Sequence, residues 1–223
     1  MSIKKKISAA IYNYGMIERG DRIAIAFSGG KDSVALTHLL KERKEIHEFL
    51  LIHVDHGFGE DREKIKGLMN HFNLPWVIEE LNIASDLKMD HRTPCFLCSF
   101  LRRKRIFEIA HGNGFKKIAF GHTRDDAIVT FIMNIFYHGE TSTLKPVQSF
   151  FQGEIILLRP LYYVREVEIE HYLKRIALDY TENPCPYKDK TRRSMVEKLI
   201  ESFPDGKNNV YKAMFHIKRD YLP

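Results

Sequence analysis

Short apolar runs alternate with stretches of helical spacing along the first part of this chain. An amphipathic helix is predicted at the start, because Ile3, Ile7, Ile11, Tyr14 and Ile17 recur every three or four residues. Buried strands are predicted for four runs, at residues 23–27, 49–55, 75–78 and 117–120. Helical spacing predicts helices between and after them, at about residues 34–40, 62–72, 96–110 and 125–137.

This alternation predicts an α/β fold in which a parallel sheet carries helices on both faces. Ligands of such sheets bind at the carboxyl ends of the strands. After Thr141 the pattern changes to a hairpin, residues 147–151 and 155–158 around Gln152-Gly153, followed by helices at about 166–177, 191–203 and 208–219. We expect one domain over residues 1–223, with residues 160–223 as a helical C-terminal part.

The loop SGGKDS, Ser28 to Ser33, joins the first predicted strand to the next helix. A helix start favours anions, and Gly29 and Gly30 let a ligand approach the backbone. Lys31 supplies a positive charge, the two serines supply hydroxyl donors, and Asp32 can hold a magnesium ion that bridges phosphate oxygens. The loop therefore predicts a nucleotide triphosphate site.

Two common phosphate loops are excluded here, because neither the G-x-x-x-x-G-K-[ST] nor the G-x-G-x-x-G spacing occurs in this stretch. The alternative is an ordinary tight turn in which Ser or Asp caps the helix. A cap alone requires neither the glycine pair nor the lysine.

Composition fits a globular protein, with 44% apolar residues among 223. The basic start lacks a continuous apolar core and no stretch reaches the length of a membrane span, so we expect a cytoplasmic location. The net charge of +6 is compatible with a nucleic-acid partner. Two basic clusters stand out, although solvated surface is the commoner explanation for such clusters: Arg102, Arg103, Lys104 and Arg105, then Lys188, Lys190, Arg192 and Arg193.

The three cysteines are Cys95 and Cys98, in C-x-x-C spacing at a helix start, and Cys185 between two prolines. An odd count argues against a disulfide framework. Any one of them alone could be a buried apolar residue. As a group they leave three alternatives open: an iron–sulfur cluster with one open iron position, a zinc site needing His91 or another fourth ligand, and a redox disulfide.

Further motifs follow in a fixed order: GHTRDD at Gly121 to Asp126, RPLYYVRE at Arg159 to Glu166, and NPCP around Cys185. SGGKDS resembles the pyrophosphate loop (PP-loop) of the ATP pyrophosphatase superfamily, whose members attach AMP to a substrate. With C-x-x-C and these motifs, nearly the whole chain resembles the tRNA 2-thiocytidine synthetases, iron–sulfur enzymes that convert cytidine 32 to 2-thiocytidine.

The resemblance implies a five-stranded parallel sheet and several site residues. ATP phosphates would bind Ser28, Gly29, Gly30, Lys31, Asp32 and Ser33, with Val54 and Gly121 near the adenosine. Asp32, Arg102 and Asp126 would be catalytic, and Asp126 is also a candidate metal ligand. A 4Fe-4S cluster would be held by Cys95, Cys98 and Cys185. The implied cofactors are ATP, Mg2+ and this cluster.

The implied partners are a tRNA substrate, a sulfur donor (cysteine desulfurase-derived or free sulfide) and a second copy of the chain in a homodimer, with no membrane partner. In the implied reaction the pyrimidine 2-carbonyl is adenylated, pyrophosphate leaves, and sulfur replaces the oxygen. Arg102 to Arg105 and Arg192 to Arg193 would guide the tRNA backbone.

Three features depart from the related 2-thiouridine enzymes or complicate the resemblance. Arg102 stands where those enzymes have lysine, and a guanidinium stays protonated, so it is a poor proton carrier. Their zinc fingers are absent, and LIHVDHGFGED looks more like tRNA isoleucine lysidine synthetases. The alternatives are therefore a lysidine synthetase, a non-catalytic ATP and cluster sensor, and a sulfur transferase acting on a small molecule.

Overall fold

Apolar strands and amphipathic helices alternate through the fold in the order that the hydrophobic pattern predicts. The computed structural model describes residues 1–81, 94–182, 184–187, 191–216, 218 and 220. The strands are β1 (Asp21–Ala26), β2 (Ile46–Asp55), β3 (Trp76–Glu80), β4 (Lys117–Ala119), β5 (Val147–Phe150) and β6 (Ile155–Leu158). The described helices are α1 (Ile3–Asn13), α2 (Lys31–Lys41), α3 (Arg62–His71), α4 (Pro94–Gly112), α5 (Arg124–His138), α6 (Glu166–Arg175), α7 (Arg192–Glu201) and α8 (Gly206–Ala213).

The six strands form one sheet in the order β3-β2-β1-β4-β6-β5. Five of them run parallel, and β5 pairs antiparallel with β6 at one edge. The expectation of a five-stranded sheet was therefore wrong by one strand. The hairpin was predicted, but its second strand also pairs parallel with β4, which joins the hairpin to the main sheet.

Both faces of the sheet are covered, as the continuous apolar runs predict. Alternate residues of β1 face opposite sides: Ile23 and Ile25 belong to a core with α1, α2 and α6, and Ala24 belongs to a core with α4. A third, smaller cluster joins α5 to α7 through Ile128, Val129, Val196 and Ile200. The parallel sheet brings the carboxyl ends of β1, β2 and β4 to one edge, where the sequence motifs lie.

Helix ends show where the pattern extended too far. Helix α1 stops at Asn13, and Gly15 follows with φ +56°, so Ile17 packs on the core from outside the helix. The last helix was expected at residues 208–219 but spans Gly206–Ala213, and Arg219 lies outside the described residues. The described helices include none that combines the length and apolar content needed to cross a bilayer.

Candidate active site

The SGGKDS loop lies at the carboxyl end of β1 and leads directly into α2. Gly30 is the N-cap residue of α2, and no side chain of the described residues caps that helix start. Ser33 Oγ donates instead to the Gly30 carbonyl at 2.9 Å and lies 3.1 Å from Ser28 Oγ. The ordinary side-chain cap that the sequence left as an alternative is therefore absent. The first amides of α2 remain available for an anionic ligand.

A distant loop crosses the SGGKDS turn and explains one of its glycines. The Thr181 amide donates to the Gly29 carbonyl at 2.8 Å. Gly29 has φ +77°, and a Cβ there would stand 2.6 Å from Thr181 Oγ1 and 3.2 Å from Ile65 Cγ1. Both the left-handed backbone and the close approach therefore require glycine. The loop that carries Cys185 is fastened to the loop predicted to bind phosphate.

These segments enclose a cleft of about 410 Å³, a size within the range of roughly 300–1,000 Å³ typical of ligand pockets. Its lining comes from four parts of the chain: Ser28, Gly30, His56, Gly59, Glu60, Asp61, Lys64, Ile65, Arg102, Thr181, Glu182 and Pro184. The residue next to Cys185 and the arginine one helical turn after Cys98 thus face the same space as the SGGKDS loop.

Lys31 and Asp32 form a charged group beside the cleft. Lys31 Nζ lies 3.0 Å from Asp32 and 3.2 Å from Glu166 at the start of α6. Burial would lower the pKa of Lys31, but the two carboxylates raise it overall. Burial raises the pKa of Asp32 to about 6, because Lys31 offsets only part of the desolvation. Glu166 was not among the predicted site residues.

The GHTRDD segment follows β4 and packs against the start of α2. A Cβ on Gly121 would lie 3.1 Å from the Asp32 carbonyl carbon and 3.2 Å from the Ser33 amide nitrogen, so glycine lets the two segments touch. Thr123 and Asp126 form a capping box on α5, with the Thr123 amide donating to Asp126 at 2.6 Å. The GHTRDD segment therefore caps the start of α5.

Asp126 also pairs with a distant arginine. Arg193 donates to Asp126 at 2.6 Å and to Glu197 at 2.9 Å. Burial would raise the pKa of Asp126, but Arg193, His122 and the Thr123 hydrogen bonds lower it overall. Burial lowers the pKa of the neighbouring His122 well below its usual value. Asp126 is thus an ionised carboxylate beside Asp32, whose pKa it raises.

A buried cluster that sequence reasoning missed lies at the end of β2. The Glu60 carboxylate is hydrogen-bonded to two histidines, to His53 Nε2 at 3.0 Å and to His56 Nδ1 at 2.5 Å. The other ring nitrogen of His53, Nδ1, lies 2.9 Å from the Phe27 carbonyl oxygen. Burial would raise the pKa of Glu60, but the two histidines lower it to about 2. Arg102 reaches His56 Nε2 at 3.5 Å. The signal was present in LIHVDHGFGED, a stretch in which the sequence analysis gave the two histidines and Glu60 no role.

The three cysteines are thiols and form no disulfide. Cys95 is exposed, and Cys98 and Cys185 are half-buried. Burial raises the pKa of Cys95 and of Cys98, and the charge of Cys185 raises both further. Two charged residues of the cleft also affect the pKa of Cys98: Arg102 lowers it and Glu60 raises it. In the part of the chain that the structure describes, no three or more His, Cys, Asp or Glu side chains are arranged to hold a metal ion.

The remaining predicted residues have the following places. Val54 is buried in β2 within the core on the α4 side of the sheet. Arg105 is paired with Glu79 at 2.8 Å and Glu108 at 3.0 Å, and Arg192 lies over the Tyr137 ring at 4.6 Å. These contacts give two arginines of the basic clusters a role within the fold. His91, Lys188 and Lys190 lie outside the described residues.

Comparison with known proteins matches residues 1–202 to the PP-loop domain family. A tRNA-cytidine(32) 2-sulfurtransferase from Bdellovibrio bacteriovorus is 35% identical, over 96% of this chain and 86% of the relative. Another, from Shewanella oneidensis, is 32% identical, over 95% of this chain and 73% of the relative.

Two solved structures are similar to this fold. A U34-tRNA thiolase from Methanococcus maripaludis, described with its 4Fe-4S cluster, superposes with a TM-score of 0.79 at 22% identity, covering 97% of this chain and 80% of the other. An NH3-dependent NAD synthetase from Campylobacter jejuni superposes with a TM-score of 0.56 at 16% identity, covering 96% and 92%. At these identities the superpositions establish the fold alone.

Proposed function

The chain belongs to the PP-loop domain family and to its tRNA-cytidine(32) 2-sulfurtransferases, and on that premise we propose that it thiolates cytidine 32 of tRNA with ATP and an iron–sulfur cluster. It is a sulfurtransferase that acts on tRNA and has an ATP-binding PP-loop. The base, the chemical steps and the metal centre are the proposed parts.

One observation carries the proposal: the loop with Cys185 is hydrogen-bonded to the phosphate loop through Thr181 and Gly29. The cleft beside the uncapped start of α2 is lined by Pro184, the neighbour of Cys185, and by Arg102, one helical turn after Cys98. A reaction that needs a nucleotide and sulfur at one carbon atom requires this neighbourhood. An ATP-binding protein without sulfur chemistry has no need to fasten the Cys185 loop there.

ATP would bind with its phosphates on the amides of the loop from Ser28 to Ser33. Lys31 would contact the leaving pyrophosphate, and Asp32, with Asp126 beside it, would hold Mg2+. In this structure Lys31 pairs with Asp32 and Glu166, so bound phosphates would share its positive charge with these two carboxylates. Val54 and Gly121 are proposed to lie near the adenosine, through backbone atoms in the case of buried Val54.

The three cysteines are the proposed ligands of the cluster, although their side chains, like all others among the described residues, are not arranged as a metal site in this structure. They are three thiols, and the charge of Cys185 reaches both Cys95 and Cys98. Three thiolates leave one iron of a 4Fe-4S cluster without a protein ligand, whereas tetrahedral zinc needs a fourth. When bound, such a cluster supplies an open iron position that can hold the sulfur to be transferred. Arg102 favours the thiolate of Cys98 that cluster binding requires.

The proposed chemistry begins with attack of the pyrimidine 2-oxygen on the α-phosphorus of ATP, which releases pyrophosphate. The 2-oxygen is a poor leaving group on its own, but once it is bonded to the phosphorus it can leave as part of AMP. Sulfide then bonds to C2, the C2–O bond breaks with its electron pair on AMP, and a thiocarbonyl results. Arg102 would stabilise phosphate charge without carrying a proton. His56, which lines the cleft and contacts Arg102, would accept the proton of the entering sulfur.

The partners of the reaction are proposals beyond the tRNA substrate itself. The sulfur would come from free sulfide or from a cysteine desulfurase, and the protein would act as a homodimer. Residues 1–223 would form one PP-loop domain, with residues 160–223 contributing helices and Cys185. Among the basic residues, Arg102 and Arg103 are the proposed guides of the tRNA backbone, because Arg105 and Arg193 are already paired with carboxylates.

The decisive experiment is mass spectrometry of tRNA nucleosides from cells that lack the gene and carry it again on a plasmid. The intact gene is expected to restore 2-thiocytidine, and Cys98→Ser is expected to fail. Ser99→Ala, one position further along α4, is the matched control and should restore it fully. Purified Cys98→Ser should also lose the visible absorption of the reconstituted cluster while ATP still binds.

Other outcomes would identify the alternatives. Activity that survives replacement of all three cysteines by serine would favour a lysidine synthetase. Absence of pyrophosphate release when unmodified tRNA is added would favour a sensor. Failure to bind tRNA at low salt would favour a transferase acting on a small molecule.

A further inference from the structure

A second, larger cavity of about 730 Å³ lies outside the ATP cleft, between α4 and the β5–β6 hairpin. We call it the hairpin groove and define it by the residues that matter below: Phe100, Arg103, Lys104, Phe107, Phe150 and Phe151. None of them is needed for the ATP site or the cysteine group. The groove follows α4 from Phe100 to His111, a length of roughly 16 Å at about 1.5 Å per residue.

Aromatic rings dominate the walls of the hairpin groove. Phe107 and Phe150 pack at 5.2 Å between ring centroids, and Phe151 continues the row at 6.4 Å from Phe150. Phe151 is 68% exposed and has a left-handed backbone with φ +51°. This conformation is unfavourable for a bulky residue. The hairpin thus turns a large apolar ring outward at an energetic cost, which a purely structural residue would not require.

The positive charge in the groove is incompletely matched. Arg103 is half-buried, and no carboxylate among the described residues pairs with it. Burial and the adjacent Arg102 lower the pKa of Arg103. Burial also lowers the pKa of Arg159, and the charge of Arg103 lowers it further, while Tyr162 and Asp126 partly offset these effects. By contrast, Lys104 has Glu108 at 3.9 Å, and Glu154 is exposed at the rim. A cation that repels its neighbours and lacks a carboxylate suits an incoming phosphate group.

The groove is also continuous with the active site through α4. Arg102 faces the ATP cleft and Arg103, the next residue, faces the hairpin groove. If an RNA strand places one base in the cleft, the nucleotides next to that base would therefore lie along the hairpin groove. Aromatic faces with an arginine are the usual means of holding unstacked RNA bases.

We propose that the hairpin groove binds the nucleotides that flank the modified base in the tRNA loop. A base stacks on Phe151, and the adjoining phosphate pairs with Arg103. This inference rests on the proposed function for its substrate, but it concerns RNA binding and not the reaction.

The test measures binding of a fluorescently labelled, unmodified RNA anticodon stem-loop by anisotropy, without ATP. Phe151→Ala should weaken binding about tenfold, because it removes the aromatic face on which one base stacks. Phe151→Trp should retain the affinity. Arg103→Gln should also weaken binding and reduce the salt dependence by about one phosphate contact. The matched controls are Phe136→Ala, whose ring is 58% exposed on α5, and Arg19→Gln in the loop before β1.

The outcomes separate the two proposals. If the unaltered protein binds no RNA, both the proposed function and the proposal for the hairpin groove are wrong. If it binds and Phe151→Ala and Arg103→Gln bind equally well, only the groove proposal is wrong. A change of sedimentation coefficient in Phe151→Ala with unchanged RNA affinity would make the groove a contact between copies of the chain, which also overturns the proposal. Equal ATP affinity and equal thermal stability in all variants show that each is folded.

Discussion

Replacing Glu60 by glutamine tests the buried bridge between His53 and His56 with almost no change of shape. The Glu60 side chain is only 8% exposed and accepts a hydrogen bond from each histidine. The side-chain amide introduced by this substitution can still accept from one histidine, but the negative charge that both histidines face is lost. We therefore expect a loss of stability without a cavity.

The magnitude follows from the pKa of Glu60, which falls from 4.5 to about 2 on folding. Each tenfold change in proton affinity is worth about 1.4 kcal/mol, so the full effect would be about 3 kcal/mol. Solvent screening and the retained hydrogen bond reduce this to about 1–3 kcal/mol. Because the folded-state pKa is depressed, this stabilisation is fully present above about pH 4.5 and disappears as the pH falls through about 2.

The assay is thermal unfolding at pH 7 and again at the lowest pH where the protein remains folded. At pH 7 the variant Glu60→Gln should unfold roughly 2–10 °C lower, and the difference should shrink on acidification. Glu63→Gln is the matched control, because Glu63 lies nearby on α3 with its side chain 83% exposed and paired with Lys66 at the surface. Equal unfolding temperatures for the unaltered protein and Glu60→Gln at pH 7 would refute the argument.

Three more outcomes follow from the site. Gly121→Ala should push apart the starts of α2 and α5 and lower the affinity for ATP by roughly 5- to 150-fold in calorimetry, since overpacking costs about 1–3 kcal/mol. Gly112→Ala, with open space around it, should bind ATP normally. Arg193→Gln should leave buried Asp126 without its ion-pair partner and lower the stability by about 2 kcal/mol. The rate of pyrophosphate release should fall as well, and an unchanged rate would show that Asp126 has no part in the mechanism. Magnesium-dependent ATP binding should weaken below about pH 6, where Asp32 becomes protonated, and ATP binding without magnesium should show no such step.

The local elements were predictable because their signals are local. A continuous apolar run marks a strand buried on both faces, and this sufficed for β1, β2 and β4. The start of α2 after SGGKDS was also readable from a short motif. The placement of these motifs at one sheet edge followed from the parallel arrangement alone.

Contacts between distant segments were not predictable in the same way. The hairpin could be read from its turn, but the parallel pairing of β6 with β4 could not, because a pairing partner is chosen by the whole topology. The same holds for Arg193 with Asp126 and for Thr181 with Gly29, whose partners lie 67 and 152 positions apart along the chain. Glu60 was missed because its role depends on its burial, and a polar stretch of sequence does not show that a charged residue in it will be buried.

By itself, then, the amino-acid sequence determined the order of strands and helices, the loop fitted for phosphate and the three thiols that could hold a metal centre. Hydrophobic period and backbone conformational preference act over a few residues, so the chain carries this information locally. Only the tertiary structure decided that the Cys185 loop lies across the phosphate loop, that His56 and Arg102 meet in the cleft, and that Arg103 faces a separate groove. Those relations depend on how the sheet and its helices pack, and packing is a property of the whole core.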